Sequence, residues 1–459
     1  MRTVGGGNQC DTARRQPNPE KISKMQKKYF IKTFGCQMNV YDSWRIATML
    51  NAHGMCATKN VADADIIILN TCSVREKATN KVFSELGRIR DAKKPDALFG
   101  IVGCVARETG ANAFHRIPEL NFVLGPQSYH KLPEILNDPD TKLLNIDLTG
   151  LEKFDELPPM TTAPVVSYIP IQEGCNHCCT YCIVPYTRGR EISRPYDDII
   201  RDTIHAAETG AIEICFLGQN VNGYKYTDEN GKTFRLADLI RETAKIAEIQ
   251  RIRFTSSYPT EMTDDLIEMF KTEQKLLPFL NMPIQSGAPG VLKRMNRPYS
   301  LNAYMEIINK LRVARPDIQI SSDFIVGFPG ETENDFEKTL DIAKRVRYIN
   351  SYSFKYSPRP HTAAALMPNQ VPENIKRERL AILDNTLNEI QREFNESCIG
   401  KTLMCLCEGT DKTGRHQLYR TPYMQQCIVA KPDKQSAPTI SEIKITAANR
   451  ASLRGEFVK

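Results

Sequence analysis

Gly174-Cys175-Asn176-His177-Cys178-Cys179-Thr180-Tyr181-Cys182 is the stretch on which the reading of this chain turns. Cys175, Cys179 and Cys182 stand in a C-x3-C-x2-C spacing. Three thiolates at that spacing hold three irons of a 4Fe-4S cube and leave the fourth open for a substrate or cofactor. Two plainer readings compete. Cys175-x2-Cys178 and Cys179-x2-Cys182 are also back-to-back CxxC pairs, as in a structural zinc site, but no residue separates them to let two knuckles wrap one tetrahedral ion. A disulfide framework fits less well, because the 459 residues show no secretory segment and neighbouring thiols in a cytosolic chain are more often metal ligands.

Around this motif the pattern is βα. Strands are predicted over 167–172, 213–217, 251–255, 279–283, 319–326 and 351–355, with helix-like stretches between them. Six such units make a partial barrel, and the cysteine motif follows its first strand, at the carboxyl face where barrel active sites lie. Polar or glycine-bearing segments end later strands: Gly218-Gln219-Asn220, Ser256-Ser257, Gln285-Ser286-Gly287 and Gly327-Phe328-Pro329-Gly330. Singly each is a turn; together they ring one mouth.

Upstream, residues 28–145 alternate short β runs (29–34, 65–70, 97–102, 122–124) with helical patterns (42–52 and 75–92), which predicts a doubly wound parallel sheet. Cys36, Cys72 and Cys104 each fall two residues after one of these strands. In an open parallel sheet the carboxyl ends line one edge, so the three would meet there, and helix N-termini nearby suit an anionic cluster. The alternative is three buried structural thiols. Residues 146–164, rich in Pro, Glu and Thr, read as a linker to the barrel domain at 165–390, and residues 1–27 read as a disordered tail.

Residues 396–459 alternate apolar and polar positions without long helices, which predicts a small all-β domain with strands at 402–408, 423–430, 440–447 and 453–458. Its ten Lys or Arg against six acids suit phosphate contacts, with Tyr419 and Tyr423 available for stacking; a merely solvated barrel is the alternative. Cys405 and Cys407 share one face of a strand, without a ligand spacing around them. Arg188, Arg190 and Arg194 are either phosphate contacts or rim ion pairs. The whole chain carries a net charge of +7, compatible with a polyanion partner. With 41% apolar residues it has enough for about two to four domains with real cores. The longest apolar runs fall far short of the ~18 residues that span a bilayer, so no membrane partner and a cytoplasmic location are expected.

These motifs carry a resemblance. Thr33-Phe34-Gly35-Cys36-Gln37-Met38-Asn39, Asn70-Thr71-Cys72-Ser73-Val74-Arg75, Gly103-Cys104, the central cysteine motif and Gly218-Gln219-Asn220-Val221-Asn222 resemble the methylthiotransferase family of radical S-adenosylmethionine (SAM) enzymes. The Gly-Cys-Gln-Met-Asn wording resembles the branch that acts on isopentenylated adenosine, not those acting on threonylcarbamoyl-adenosine or a ribosomal protein. The chain departs from the family at Asn281, where His is expected, and at His361, where Gly is usual.

The resemblance implies an α/β fold in three parts: an N-terminal methylthiotransferase domain, a radical SAM barrel and a C-terminal TRAM domain. It implies that Cys175, Cys179 and Cys182 hold a 4Fe-4S cluster that binds SAM and cleaves it to a 5′-deoxyadenosyl radical. Gly218, Gln219, Asn220, Ser256, Gln285, Asp323 and Gly327 are nominated for SAM. Asp323 and Glu331 have a second reading, as helix caps. Cys36, Cys72 and Cys104 would hold an auxiliary 4Fe-4S cluster that presents sulfur. The implied reaction methylthiolates C2 of N(6)-isopentenyladenosine next to the anticodon of a tRNA stem-loop, with electrons from a low-potential donor such as flavodoxin. The competing class is a non-catalytic iron-sulfur RNA-binding regulator, which would not cleave SAM; a structural zinc protein is the weakest candidate.

Overall fold

The computed structural model describes residues 26–73, 76–148, 150–431 and 439–458. The expected tail therefore lies, for residues 1–25, outside the described residues, as do Val74, Arg75, Lys434 and Lys459. Two compact units emerge. The first comprises residues up to Thr161 together with Glu173–Asn176 and Cys182–Ile192; the second comprises Thr162–Gln172, His177–Tyr181 and the chain from Ser193 onward.

In the first unit six strands, β1 (Lys28–Thr33), β2 (Cys56–Ala57), β3 (Ile66–Thr71), β4 (Leu98–Gly103), β5 (Phe122–Leu124) and β6 (Leu143–Asn145), form one parallel sheet in the order β2-β1-β3-β4-β5-β6. The short β2 and β6 are additions to the predicted set. Alternation along the strands fills both faces. Ile67, Leu69, Phe99, Ile101 and Val123 pack on one side with Val82, Leu86 and Ile89 of helix α2 (Glu76–Ala92). Ile66, Ile68, Val102, Phe122 and Leu124 pack on the other with Ile46, Met49 and Leu50 of helix α1 (Gln37–Ala52). Helix α1 starts five residues before its predicted first turn: Cys36 is its N-cap, and its amide donates to Asn39 Oδ1 at 3.3 Å. The chain adds β2 on one side of β1 and β3 on the other, so the order reverses at β1, and a crevice opens at the carboxyl ends of β1 and β3.

In the second unit parallel strands Val166–Pro170, Glu213–Leu217 and Arg251–Phe254 are joined in sequence by helices Tyr196–Glu208 and Leu236–Ala244. Phe279–Asn281 then pairs with Gln319–Ser321, and Asp323–Val326 with Tyr352–Lys355. The single strand predicted over 319–326 is thus split at Ser322. Its hydroxyl accepts the Ile284 amide and its amide donates to Ser351 Oγ, both at 3.0 Å, so it serves two neighbours through side chains instead of a ladder. The apolar strand and helix faces merge into one barrel core, from Ile169 and Ile214 to Val326 and Leu383.

Helix Glu373–Ser397 leads to a closed barrel of five strands in the order Thr402–Thr410, His416–Arg420, Gln426–Ala430, Leu453–Phe457, Ile440–Ala448. Four were predicted; His416–Arg420, with Leu418 its only aliphatic residue, escaped the pattern. The missing strand changes one assignment. Tyr419 is fully buried in the barrel core with Cys405, Cys427 and Ile443, and so is no stacking platform. Tyr423 is occupied too, packing edge-on against Phe394 and donating to Asp317 at 3.3 Å. Cys407 flanks the same core, on the face it shares with Cys405.

Burial pushes the Cys215 thiol up to about 11 and those of Cys405 and Cys427 up to about 12. These thiols stay neutral at pH 8 and react only as thiolates, while Cys178 is exposed. Brief iodoacetamide treatment at pH 8 followed by peptide mass spectrometry is expected to label Cys178 and spare the other three. Because these folded values lie above the unfolded ~8.5, their contribution to stability is whole below that pH and is lost as pH rises through and above it. Equal labelling of all four thiols would contradict the burial.

His361 has a φ of +66°, a left-handed conformation that costs a residue with a Cβ about 1–2 kcal/mol. The backbone is thus the reason glycine suits this position. His361→Gly is expected to raise stability by about 0.5–1 kcal/mol in urea unfolding, once the greater chain entropy of glycine is subtracted. A loss of stability would mean that the imidazole contributes more than the strain costs.

Candidate active site

The carboxyl edge of the first unit brings together Cys36, the N-cap of α1, Cys72, next after β3, and Cys104, the first residue of helix Cys104–Thr109. Cys36 and Cys72 share a hydrogen bond, and Cys104 lies within the electrostatic reach of Cys36. Close approach depends on the glycines that precede two of them. Gly35 has φ +126°, and a Cβ there would lie 2.3 Å from Cys72 Cβ; Gly103 has φ +93°, and a Cβ would lie 2.5 Å from Thr71 O. Both loops therefore require glycine.

The asparagines of the two N-terminal motifs knit these loops. Asn39 Nδ2 donates to Asn70 Oδ1 at 2.9 Å and Thr71 O at 3.1 Å, while Asn70 Nδ2 returns a bond to Asn39 O at 2.8 Å. Cys36 Sγ lies 3.4 Å from Asn39 Oδ1. The Cys72 hydrogen bond, outweighing a smaller desolvation, and then Arg188 bring the Cys36 thiol down to about 6; burial pushes that of Cys104 up. Among the described residues no group of His, Cys, Asp and Glu is arranged around a single metal ion. Three thiolates gathered at one sheet edge suit the corners of a 4Fe-4S cube.

In the central motif, Cys175 and Cys182 belong to the first unit and Cys179 to the second. The Cys175 amide donates to Gly189 O at 3.2 Å, and Cys182 Sγ accepts the Val184 amide at 3.4 Å. Cys179 Sγ lies 3.8 Å from Arg297 Nη1. Arg297, missed by sequence reading, is buried; it also donates to Pro283 O and Tyr299 OH at 2.6 Å each and lies over the Tyr258 ring at 4.6 Å. It forms no ion pair with a carboxylate among the described residues. A buried cation without a counter-ion is costly, and thiolates holding an anionic cluster would supply one. His177 stacks on Tyr258 at 3.7 Å and bonds Glu261 at 3.0 Å, fixing the loop beside Cys179.

The residues nominated for SAM, other than Asp323, sit on loops that follow the strands. Gly218, Gln219 and Asn220 follow Glu213–Leu217; Val221 N donates to Ser256 O at 3.0 Å, joining that loop to the next. Gln285 N donates to Asp323 O, and Ile325 N to Gln285 O, both at 2.9 Å. Asp323 thus lies within strand Asp323–Val326 and caps no helix. Gly327 N donates to Glu331 Oε1 at 2.7 Å, so Glu331 braces this loop, and Thr332 is the cap of the following helix. Ser256 and Gln285 adopt φ of +70° and +72°. Strain of this kind concentrates at ligand sites. At the same strand ends, buried polar groups of Gln172, Ser257, Tyr258 and Tyr356 lack hydrogen-bond partners among the described residues, as expected where a polar ligand supplies them.

Arg188 and Arg194, offered as phosphate contacts, are 3% exposed and ion-paired with Glu173 and Asp202; the phosphate reading fails for both because they do not reach the surface. Arg190 is exposed. No helix among the described residues is long and apolar enough to cross a membrane.

Comparison with known proteins agrees with this architecture. The family model described as "Uncharacterized protein family UPF0004" matches residues 28–125, and the Radical SAM superfamily model matches residues 169–343. Among solved structures, a radical S-adenosylmethionine methyltransferase, TsrM, from Kitasatospora setae, holding cobalamin and a 4Fe-4S cluster, aligns at TM-score 0.54 and 11% identity over 74% of this chain and 77% of that one, a likeness of fold. The match and the barrel define a radical SAM enzyme, which works with a 4Fe-4S cluster and SAM. Curated proteins of Rickettsia conorii and Rickettsia bellii, each named tRNA-2-methylthio-N(6)-dimethylallyladenosine synthase, are 46% and 47% identical over 95% of this chain and 100% of theirs. The chain belongs to the tRNA-2-methylthio-N(6)-dimethylallyladenosine synthase family of radical SAM methylthiotransferases.

Proposed function

We propose that the chain methylthiolates C2 of N(6)-isopentenyladenosine beside the anticodon of tRNA. Cys175, Cys179 and Cys182 hold the radical-generating 4Fe-4S cluster, and Cys36, Cys72 and Cys104 hold an auxiliary one. The observation that carries this reading is the meeting of the three N-terminal cysteines at one sheet edge, in a chain whose full-length relatives bear the methylthiotransferase name. When bound, the clusters and SAM supply the sulfur and the one-electron chemistry that an unactivated aromatic carbon demands.

The protein supplies placement. Arg297 holds positive charge at Cys179, and the loops of Gly218, Gln219, Asn220, Ser256, Gln285 and Gly327, with the strand residue Asp323, take the methionine and ribose ends of SAM. The amide of Gln172 and hydroxyls of Ser257, Tyr258 and Tyr356, which lack hydrogen-bond partners among the described residues, offer further polar contacts at the mouth. Exposed Lys401, Lys412, Arg415, Lys444, Arg450 and Arg454 on the C-terminal barrel suit the phosphates of the tRNA stem-loop. The target base lies in a loop, where unstacking is cheap. The domain limits are 28–145, 165–390 and 396–459, the electron donor is a low-potential protein such as flavodoxin, and the enzyme acts in the cytoplasm.

The test is anaerobic reconstitution, iron and sulfide counting, and reaction with SAM, a reductant and isopentenylated tRNA under mass spectrometry. About eight irons with both 5′-deoxyadenosine and methylthio-nucleoside are expected. About four irons with deoxyadenosine alone would sink the auxiliary cluster. Equal product on tRNA lacking the isopentenyl group would sink the substrate assignment.

A further inference from the structure

Four ionisable side chains are buried inside the first unit beside the N-terminal cysteines: Asp42, Lys153, Glu173 and Arg188, none more than 3% exposed. Two acids meet two bases, so the set is neutral. Glu173 pairs with Lys153 and, at 2.9 Å, with Arg188 Nη1. Asp42 is reached by Arg188 Nη2 at 3.5 Å and by Lys153 at 3.7 Å. Burial pushes the Glu173 carboxyl up, but Lys153 and Arg188 outweigh it and hold it below its ordinary value; burial raises Asp42, which is held at longer range. Desolvation of buried ion pairs roughly cancels their attraction, so stability alone is a weak reason for four such groups.

Arg188 also faces the cysteines. Helix Val184–Arg188 packs against helix Cys104–Thr109, which opens on Cys104, and the guanidinium comes within electrostatic reach of Cys104 and Cys36. A guanidinium is always charged in a protein, and the carboxylates of Glu173 and Asp42 clamp this one in place. Its place in the chain is informative. Glu173 stands two residues before Cys175, and Arg188 six after Cys182, at the end of helix Val184–Arg188. The N-terminal thiolates thus receive a buried positive charge from the segments that flank the radical motif.

We propose that Arg188 is a positioning residue for the auxiliary cluster: clamped by Glu173 and Asp42, its guanidinium offsets the thiolate charge and sets that cluster's reduction potential. This rests on the two-cluster reading above. Reduction adds one electron to a site that is already anionic. A fixed, buried cation beside the thiolates favours the reduced state, so its removal drives the potential more negative.

The experiment uses the full chain with Cys175, Cys179 and Cys182 replaced by alanine, so that only the N-terminal thiolates hold iron, reconstituted anaerobically and titrated by EPR spectroscopy. Arg188→Gln is expected to lower the potential by a tenfold shift in the reduction equilibrium, about 59 mV for a one-electron couple, and Arg188→Lys to restore most of it. The double variant Glu173→Gln, Arg188→Gln removes one acid with the base and keeps the buried set neutral. It is expected to fold as its parent does by circular dichroism, load about four irons and show the same lowered potential. An unchanged potential in the iron-loaded double variant overturns the proposal and leaves the two-cluster reading standing. A parent that binds no iron overturns both.

Discussion

Replacing Cys36, Cys72 and Cys104 together with alanine is expected to halve the iron from about eight to about four, abolish methylthio-nucleoside and leave 5′-deoxyadenosine formation in place. The expectation follows from how the three residues are held. Cys36 caps helix α1, Cys72 follows β3 and Cys104 opens helix Cys104–Thr109, all at the carboxyl edge of a sheet whose core lies elsewhere, in Ile66–Leu69, Phe99, Ile101 and the facing helices. Loss of the thiols removes ligands without opening a cavity in either apolar layer, so the fold survives. The radical motif keeps its own three cysteines. Full iron content with intact product formation would show that the N-terminal cysteines are structural.

Arg297→Gln is expected to slow SAM cleavage about 100-fold with iron still bound, the scale seen when one preorganised donor is removed from a buried electrostatic site. Arg297 reaches Cys179 Sγ, Pro283 O, Tyr181 OH and Tyr299 OH at once, and burial, outweighed by Tyr181, Tyr299 and Cys179, leaves it firmly protonated. Glutamine keeps a donor but loses the charge and the fork. Arg297→Lys, which keeps the charge alone, is expected to fall between the two. Single-turnover deoxyadenosine formation beside iron analysis checks the series. An unchanged rate in the glutamine variant would confine Arg297 to packing.

Much of this was legible because the chemistry sits on local or topological signals. The central cysteines are close in sequence, and the N-terminal ones follow successive strands, so the topology already placed Cys36, Cys72 and Cys104 at one sheet edge. Arg188 and Arg297 were not legible in the same way. In sequence a buried arginine looks like an exposed one, and only the packing around Glu173 or Tyr258 distinguishes them. Tyr419 failed for a related reason: with one aliphatic residue in His416–Arg420, the strand that carries it inward left no trace in the pattern. The break at Ser322 was hidden by the apolar run around it, since the hydrogen bonds that interrupt the ladder come from Ile284 and Ser351, both distant in sequence.

The buried charge set also bears on how the chain folds as it leaves the ribosome. Asp42 and Lys153 emerge first, but their partners Glu173 and Arg188 arrive only with the segments bracketing the central motif. Until about residue 190 is free of the exit tunnel, the N-terminal sheet holds one acid and one base of a four-membered set and cannot close it. Synthesis thereby imposes an order: the first unit completes itself after the motif-bearing segment has been made, and a fragment that ends before Glu173 inherits an unfinished interior.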